Sequence, residues 1–194
     1  SSWTFVLQTF TSSPSPIIGD MIVENWSVNP SLPDGLSIDN DGVVSGAANI
    51  QGDSIHNITA SNSGGSMSVQ IEISIIDKAP SLWYGVFGGG KHYFSKGIEI
   101  EGLIASSIDG PIVSCESSHE LPLGLSLSTN CSISGIPGAI TPEGVYEITA
   151  SNSGGSATAN LTIIVNDQVV SDIVYGGGEF TLAKDVDTAD LEPS

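Results

Sequence analysis

From Met67 to Ile75 the chain reads Met-Ser-Val-Gln-Ile-Glu-Ile-Ser-Ile, with an apolar side chain at every odd position and a polar one at every even position. Ala159, Leu161, Ile163 and Val165 repeat the alternation further on. A period of two buries one face of a strand and wets the other, and no stretch sustains the 3.6-residue stripe of a helix. The pattern predicts an all-β chain. Turn residues punctuate it in the right places. Asn62-Ser63-Gly64-Gly65 separates strands containing Ile58 and Val69, and Asn152 to Gly155 repeats the device. Asn40-Asp41-Gly42 lies between Leu36/Ile38 and Val43/Val44. Glycine and asparagine supply the positive backbone angles of tight hairpins, while Pro33 and Pro122 follow an extended residue into a short strand.

The chain also repeats itself. Leu32-Pro33-Asp34-Gly35-Leu36-Ser37-Ile38 returns as Leu121-Pro122-Leu123-Gly124-Leu125-Ser126-Leu127, and Val44-Ser45-Gly46 returns as Ile133-Ser134-Gly135. The run Ile58 to Ser66, Ile-Thr-Ala-Ser-Asn-Ser-Gly-Gly-Ser, returns unchanged at Ile148 to Ser156. The offset is 89 residues for the first two blocks and 90 for the third. A third copy begins near the end, where Val174-Tyr175-Gly176 and Phe180 echo Trp83-Tyr84-Gly85 and Phe94. We therefore expect two units, residues 1–78 and 79–167, followed by the start of a third at 168–194. Together they read as an excised stretch of a longer repetitive chain.

Several short strands per unit cannot bury their apolar faces as a single sheet; two facing sheets with a core about 10 Å thick can. The unit length suits an immunoglobulin-like or cadherin-like β-sandwich and is about twice that of a propeller blade or solenoid rung. The order Leu-Pro-x-Gly-Leu-Ser, then Ser-Gly, then a Tyr-x-Ile-x-Ala strand running into Ser-Asn-Ser-Gly-Gly-Ser resembles the immunoglobulin-like repeat of large microbial surface proteins. It is also similar to dystroglycan-type cadherin-like domains. The second copy matches best, through Leu121 to Leu127, Ile133 to Gly138 and Val145 to Ala150. The first departs from the pattern with Ala47-Ala48 and Ile55-His56. The resemblance implies strings of tandem sandwiches acting as stalks, spacers or adhesive modules, sometimes attached to enzymes. It supplies no catalytic residues.

Charge narrows the partners. Four basic residues, all lysine, face 22 acidic ones, for a formal net charge of −18. Without arginine there is no planar fork for phosphate, and nucleic acid is not an expected partner. The acidity suits a soluble surface in an ion-rich medium. No run of 18 apolar residues is present, so no membrane insertion is expected in this segment. The surroundings expected are extracellular or at the cell surface. The partners expected are neighbouring repeats of the same polypeptide, with a surface protein or a glycan as further candidates.

Candidate chemistry is sparse. Cys115 and Cys131 are the only cysteines. A bridge between them would close a loop of about 17 residues and contribute roughly 3 kcal/mol, the alternative being two buried thiols. His56, His92 and His119 show no metal-ligand spacing and read as surface or half-buried residues. Calcium is the one cofactor to weigh, because it takes six to eight oxygens and some relatives in the resembled families hold it at domain junctions. The candidate donors are Asp77 and Asp167 at the two unit ends, Glu99 and Glu101 on the wet face of an expected strand, and Asp39 and Asp41. Asp185, Asp187 and Asp190 would serve the next unit. Glycan acceptors are matched at Asn25, Asn57, Asn130 and Asn160. Trp83, Tyr84 and Tyr93 crowd the start of the second unit, either as a recognition patch or, the reading we favour, as packing that stiffens the junction with Pro80. The chain is read as a non-enzymatic structural or adhesive segment, the alternative being a carbohydrate- or protein-binding module, such as an appendage of a secreted hydrolase.

Overall fold

A computed structural model describes residues 1–19, 21–85 and 90–169, and the third-repeat expectation lies outside the described residues. The described residues form thirteen strands and no helix. In the first repeat these are β1 (Ser2–Val6), β2 (Thr11–Ser12), β3 (Asn25–Asn29), β4 (Leu36–Ile38), β5 (Val44–Gly46), β6 (Gly52–Asn62) and β7 (Gly65–Ile76). In the second they are β8 (Lys91–Ser95), β9 (Ser114–Ser117), β10 (Leu125–Leu127), β11 (Ile133–Gly135), β12 (Thr141–Asn152) and β13 (Gly155–Asn166).

One sheet of the first repeat runs β1-β7-β6-β3 and the facing one β2-β5-β4. The second repeat has β8-β13-β12-β9 facing β10-β11, with an isolated bridge from Leu103 to Ile133 extending the smaller sheet. In both repeats the opening strand lies parallel to the last one, Phe5 opposite Ile75 and Phe94 opposite Val165. Long antiparallel hairpins β6-β7 and β12-β13 form the spine, each closed by the Asn-Ser-Gly-Gly turn. The asparagine Oδ1 accepts the amide of the first glycine, Gly64 or Gly154, at 2.9 and 2.8 Å. This local bond is why asparagine opens the turn.

Each repeat has its own core. Phe5, Val44, Ala48, Ile58, Ile71, Ile73 and Ile75 fill the first; Ile133, Tyr146, Ile148, Leu161, Ile163, Val165 and Tyr84 are central to the second. The alternation is thus used from Ile71 onward, whereas Met67 and Val69 stay 78% and 53% exposed. The repeated Leu-Pro-x-Gly-Leu motif also gains a cause. Pro33 accepts the amide of Leu36 across a turn whose third residue, Gly35, has φ 91°, and Pro122 does the same for Leu125 with Gly124 at φ 87°. A Cβ on Gly35 would lie 2.0 Å from the Ala47 carbonyl, so only glycine lets the two backbones pass.

The repeats tie their sheets together differently at one equivalent place. In the first, Trp26 on β3 covers Gly42, where a Cβ would meet the indole ring at 2.5 Å, and its Nε1 donates to the Asn40 carbonyl at 3.1 Å. In the second, the residues 89 positions on are Cys115 on β9 and Cys131, and they form a disulfide with Cα atoms 5.2 Å apart. Cys131 keeps the left-handed backbone of its glycine counterpart, φ 65° against 77°. That conformation costs a non-glycine residue of the order of 1 kcal/mol, less than a cross-link over such a loop contributes.

Two expectations are corrected. Residues 98–101 do not form a strand: Gly97 turns the chain, Ile98 bonds back to Ser95, and only Ile100 turns inward, its amide on Gly135. His56 is a core residue, 2% exposed, held by the Pro30 carbonyl at 3.0 Å and the Ser54 hydroxyl at 2.7 Å. It stands where the second repeat has buried Tyr146, and its two ring nitrogens are both satisfied, which makes the burial affordable. Tyr84 packs into the second core, where its hydroxyl reaches the Cys131 carbonyl at 2.6 Å.

Burial pushes the Tyr84 phenol up to about 12, from the ordinary value of about 10 that it would have in the unfolded chain. Its contribution to stability is therefore complete below about pH 10 and lost as the pH rises through about 12. Alkaline unfolding of the second repeat should follow that window, and Tyr84→Phe should remove this part of the dependence, as circular dichroism alongside phenolate absorbance would show.

Candidate functional site at the junction of the repeats

Polar side chains from both repeats meet where the first repeat hands over to the second. β7 ends at Ile76, and Asp77 follows it into the junction only 6% exposed. A carboxylate taken out of water needs donors, and it has them from both repeats. Ser153, at the tip of the β12-β13 hairpin, donates its hydroxyl to Asp77 Oδ2 at 2.9 Å, while Gln51, just before β6, donates to the same oxygen at 3.2 Å. The Ser153 oxygen in turn accepts the Asp77 amide at 2.8 Å and the Gln51 amide group at 2.7 Å. A hydroxyl has one proton and two lone pairs, and here all three are used.

The clasp continues along the linker. Asn152 Nδ2 donates to the Lys78 carbonyl at 2.8 Å and to the Pro111 carbonyl at 2.9 Å. Gly110 donates its amide to the Ala79 carbonyl, and the Ser81 amide and hydroxyl are taken up by Ser107 and Ile108. Lys78 forms a surface ion pair with Asp109 at 2.6 Å; its hydrogen bond holds the Asp109 carboxyl below the usual carboxylate range. Closeness is enforced by glycine. A Cβ on Gly154 would sit 1.9 Å from the Asp77 carbonyl oxygen, and one on Gly110 would sit 1.6 Å from that of Lys78. Pro80 is buried just beyond, and Trp83 pairs by backbone with Ser106 in both directions, at 3.1 and 2.9 Å.

The other candidate residues are dispersed. Asp167 follows β13 and is exposed, as are Glu99, Glu101 and Asp41. Asp39 accepts the amides of Asp41 and Val43, each at 2.9 Å, and so shapes the β4-β5 turn. Among the described residues no three His, Cys, Asp or Glu side chains form a group that could hold a metal ion. Asp185, Asp187 and Asp190 lie outside the described residues. Asn25, Asn57, Asn130 and Asn160 are all exposed, although Asn130 already accepts bonds from Ser128 and Ser132. Trp83 and Tyr93 are 39% and 64% exposed and Tyr84 is buried, so the aromatics do not make one continuous strip. Gln51 and Ser153 had no distinguishing mark in the sequence, although Ser153 lies inside the repeated Ser-Asn-Ser-Gly-Gly-Ser block.

Residues 100–166 match the family described as "Putative Ig domain". Titin domains A168–A170 are similar in structure, with a TM-score of 0.51 at 14% identity over 86% of this chain and 64% of that one. Extracellular domains 3–5 of Drosophila OTK give 0.48 at 18% identity over 85% and 59%, and titin I-band fragment I67–I69 gives 0.47 at 17% over 85% and 62%. The chain therefore spans about three-fifths of the length of those last two structures. No curated protein sequence matches the chain. The family model matches the second repeat, and the likeness to titin A168–A170 supports an all-β tandem fold of Ig-like sandwiches.

If the clasp holds the junction, Gly154→Ala should force the linker off the hairpin tip. Hydrogen exchange at the amides of Asp77 and Gly110 should then rise at least tenfold, while amides of Ile73 and Ile163 in the cores keep their protection.

Proposed function

We propose that this tandem of Ig-like repeats is a non-enzymatic structural or adhesive segment of a multidomain extracellular or cell-surface protein, in which residues 1–78 and 79–167 are the units and the junction sets their relative placement. The observation that carries the reading is the clasp itself. Ser153 makes three hydrogen bonds across the boundary to Asp77 and Gln51, and Gln51 adds a fourth to Asp77 from within the first repeat, a fixing of neighbours that a spacer requires. The disulfide between Cys115 and Cys131 supports an oxidising compartment.

The non-enzymatic reading is supported by what the candidate groups are occupied with. Asp77 Oδ2 is held by two donors, His56 is locked in a core, and Asp39 caps a turn. Net charge of −18 keeps such a chain soluble and discourages side-by-side association.

Small-angle scattering distinguishes end-to-end units from a single ball. A compact globule of this length would have a radius of gyration of about 16 Å. The chain is expected to exceed that value clearly, at about 20 Å or more, with a two-lobed distance distribution. A value near that of the globule would overturn the spacer reading.

A further inference from the structure

The hairpin tip that grips the linker in the second repeat exists in the first repeat without a linker on it. Ser61-Asn62-Ser63-Gly64-Gly65-Ser66 is identical to Ser151 to Ser156. It is also built identically. Asn62 Nδ2 donates to the Ile22 carbonyl at 2.9 Å as Asn152 does to that of Pro111, and Gly64 donates to Asn62 Oδ1 as Gly154 does to Asn152. The difference lies in front of Gly64, where a Cβ would meet only the Asn62 side chain, at 3.2 Å. At Gly154 that space holds the Asp77 backbone.

Beside this tip a groove runs over the edge of the first core. It has a volume of about 940 Å³ and passes the hairpin, with Ile58 and Ile71 among its lining residues, Trp26 and Gly42 lining it too, and Ile17, Met21 and Ile22 along its edge. Ile17, Ile22 and Met67 are 101%, 78% and 78% exposed, an apolar patch of a size that marks a contact surface. In the second repeat the equivalent of Gly42 is Cys131, and its carbonyl receives the hydroxyl of buried Tyr84, with Leu82 packed alongside. Leu82 and Tyr84 belong to the stretch that begins at the clasped Asp77. Ser2 on β1 is the counterpart of Lys91 on β8, so the equivalents of residues 77–85 for the first repeat are not among the described residues.

From this we infer that the Asn62 to Gly65 tip and the adjoining groove form a socket for the linker of another repeat, a segment with the chemistry of Asp77-Lys-Ala-Pro-Ser-Leu-Trp-Tyr-Gly85. The aspartate binds the Ser63 hydroxyl, its carbonyl passes over Gly64, the third residue's backbone follows the rim, and the leucine and tyrosine enter the groove. The inference rests on the spacer reading and adds to it the residues by which one repeat receives the linker of another.

The test uses the whole chain and a synthetic peptide of the sequence of residues 77–85, followed by amide and methyl NMR. Saturable shifts are expected at Ser63, Gly64, Ile58 and Ile71. Gly64→Ala, whose Cβ would meet only the Asn62 side chain at 3.2 Å, should weaken the affinity at least tenfold, and so should replacing the peptide's aspartate or tyrosine by alanine. A scrambled peptide of the same composition should not saturate these sites. Absence of shifts at Ser63 and Gly64 with millimolar peptide, or binding unaffected by Gly64→Ala, would overturn the socket. Either result would leave the spacer reading standing, since that reading fails only on the scattering measurement.

Discussion

At the boundary between the repeats two backbones approach so closely that no side chain fits between them. Gly154 lies against the Asp77 carbonyl and Gly110 against that of Lys78, and the polar groups around them are arranged to make this approach stable. A buried carboxylate without partners would cost several kcal/mol. Here Ser153 and Gln51 supply its donors, and the same serine oxygen receives the Asp77 amide and Gln51. The linker is thus tied both to the strand end it leaves and to the hairpin it meets. The placement of Pro80, Leu82 and Tyr84 in the second repeat follows from that start.

The same economy explains why one hairpin sequence recurs unchanged while the cores around it drift. Within a repeat, Asn-Ser-Gly-Gly closes the long hairpin through a local bond that many polar turns could provide. At the junction each residue has a separate duty: asparagine holds the Lys78 and Pro111 carbonyls, serine holds Asp77, and glycine leaves the gap. Elsewhere the two repeats solve one problem with different chemistry, as in Trp26 over Gly42 against Cys115 bound to Cys131.

Much of the fold was legible because its causes are local. Alternation at Ile71, Ile73 and Ile75 set the buried face, and the Asn-Ser-Gly-Gly and Asp39 to Gly42 turns placed the hairpins. The repeat offset also aligns Trp26 with Cys115 and Gly42 with Cys131, a correspondence that acquires meaning only once the side chains are seen to touch. What stayed hidden depends on distant partners. His56 reads as a surface or half-buried residue until Pro30 and Ser54 are seen around it, and Glu99 and Glu101 look like a strand face until Gly97 turns the chain. Packing is the favoured reading of Tyr84 from sequence, but the Cys131 carbonyl that its hydroxyl meets is 47 residues away and carries no sequence mark. The clasp joins Gln51 to Ser153 across 102 residues, a pairing that no spacing rule proposes.

The central claim is that Asp77 and Ser153 act together across the boundary. A double-mutant cycle with Asp77→Ala, Ser153→Ala and the pair, read from denaturant unfolding of the whole chain, measures this directly. A coupling energy of about 1 kcal/mol or more is predicted for a hydrogen bond to a buried carboxylate. Strictly additive effects of the two substitutions would contradict the account.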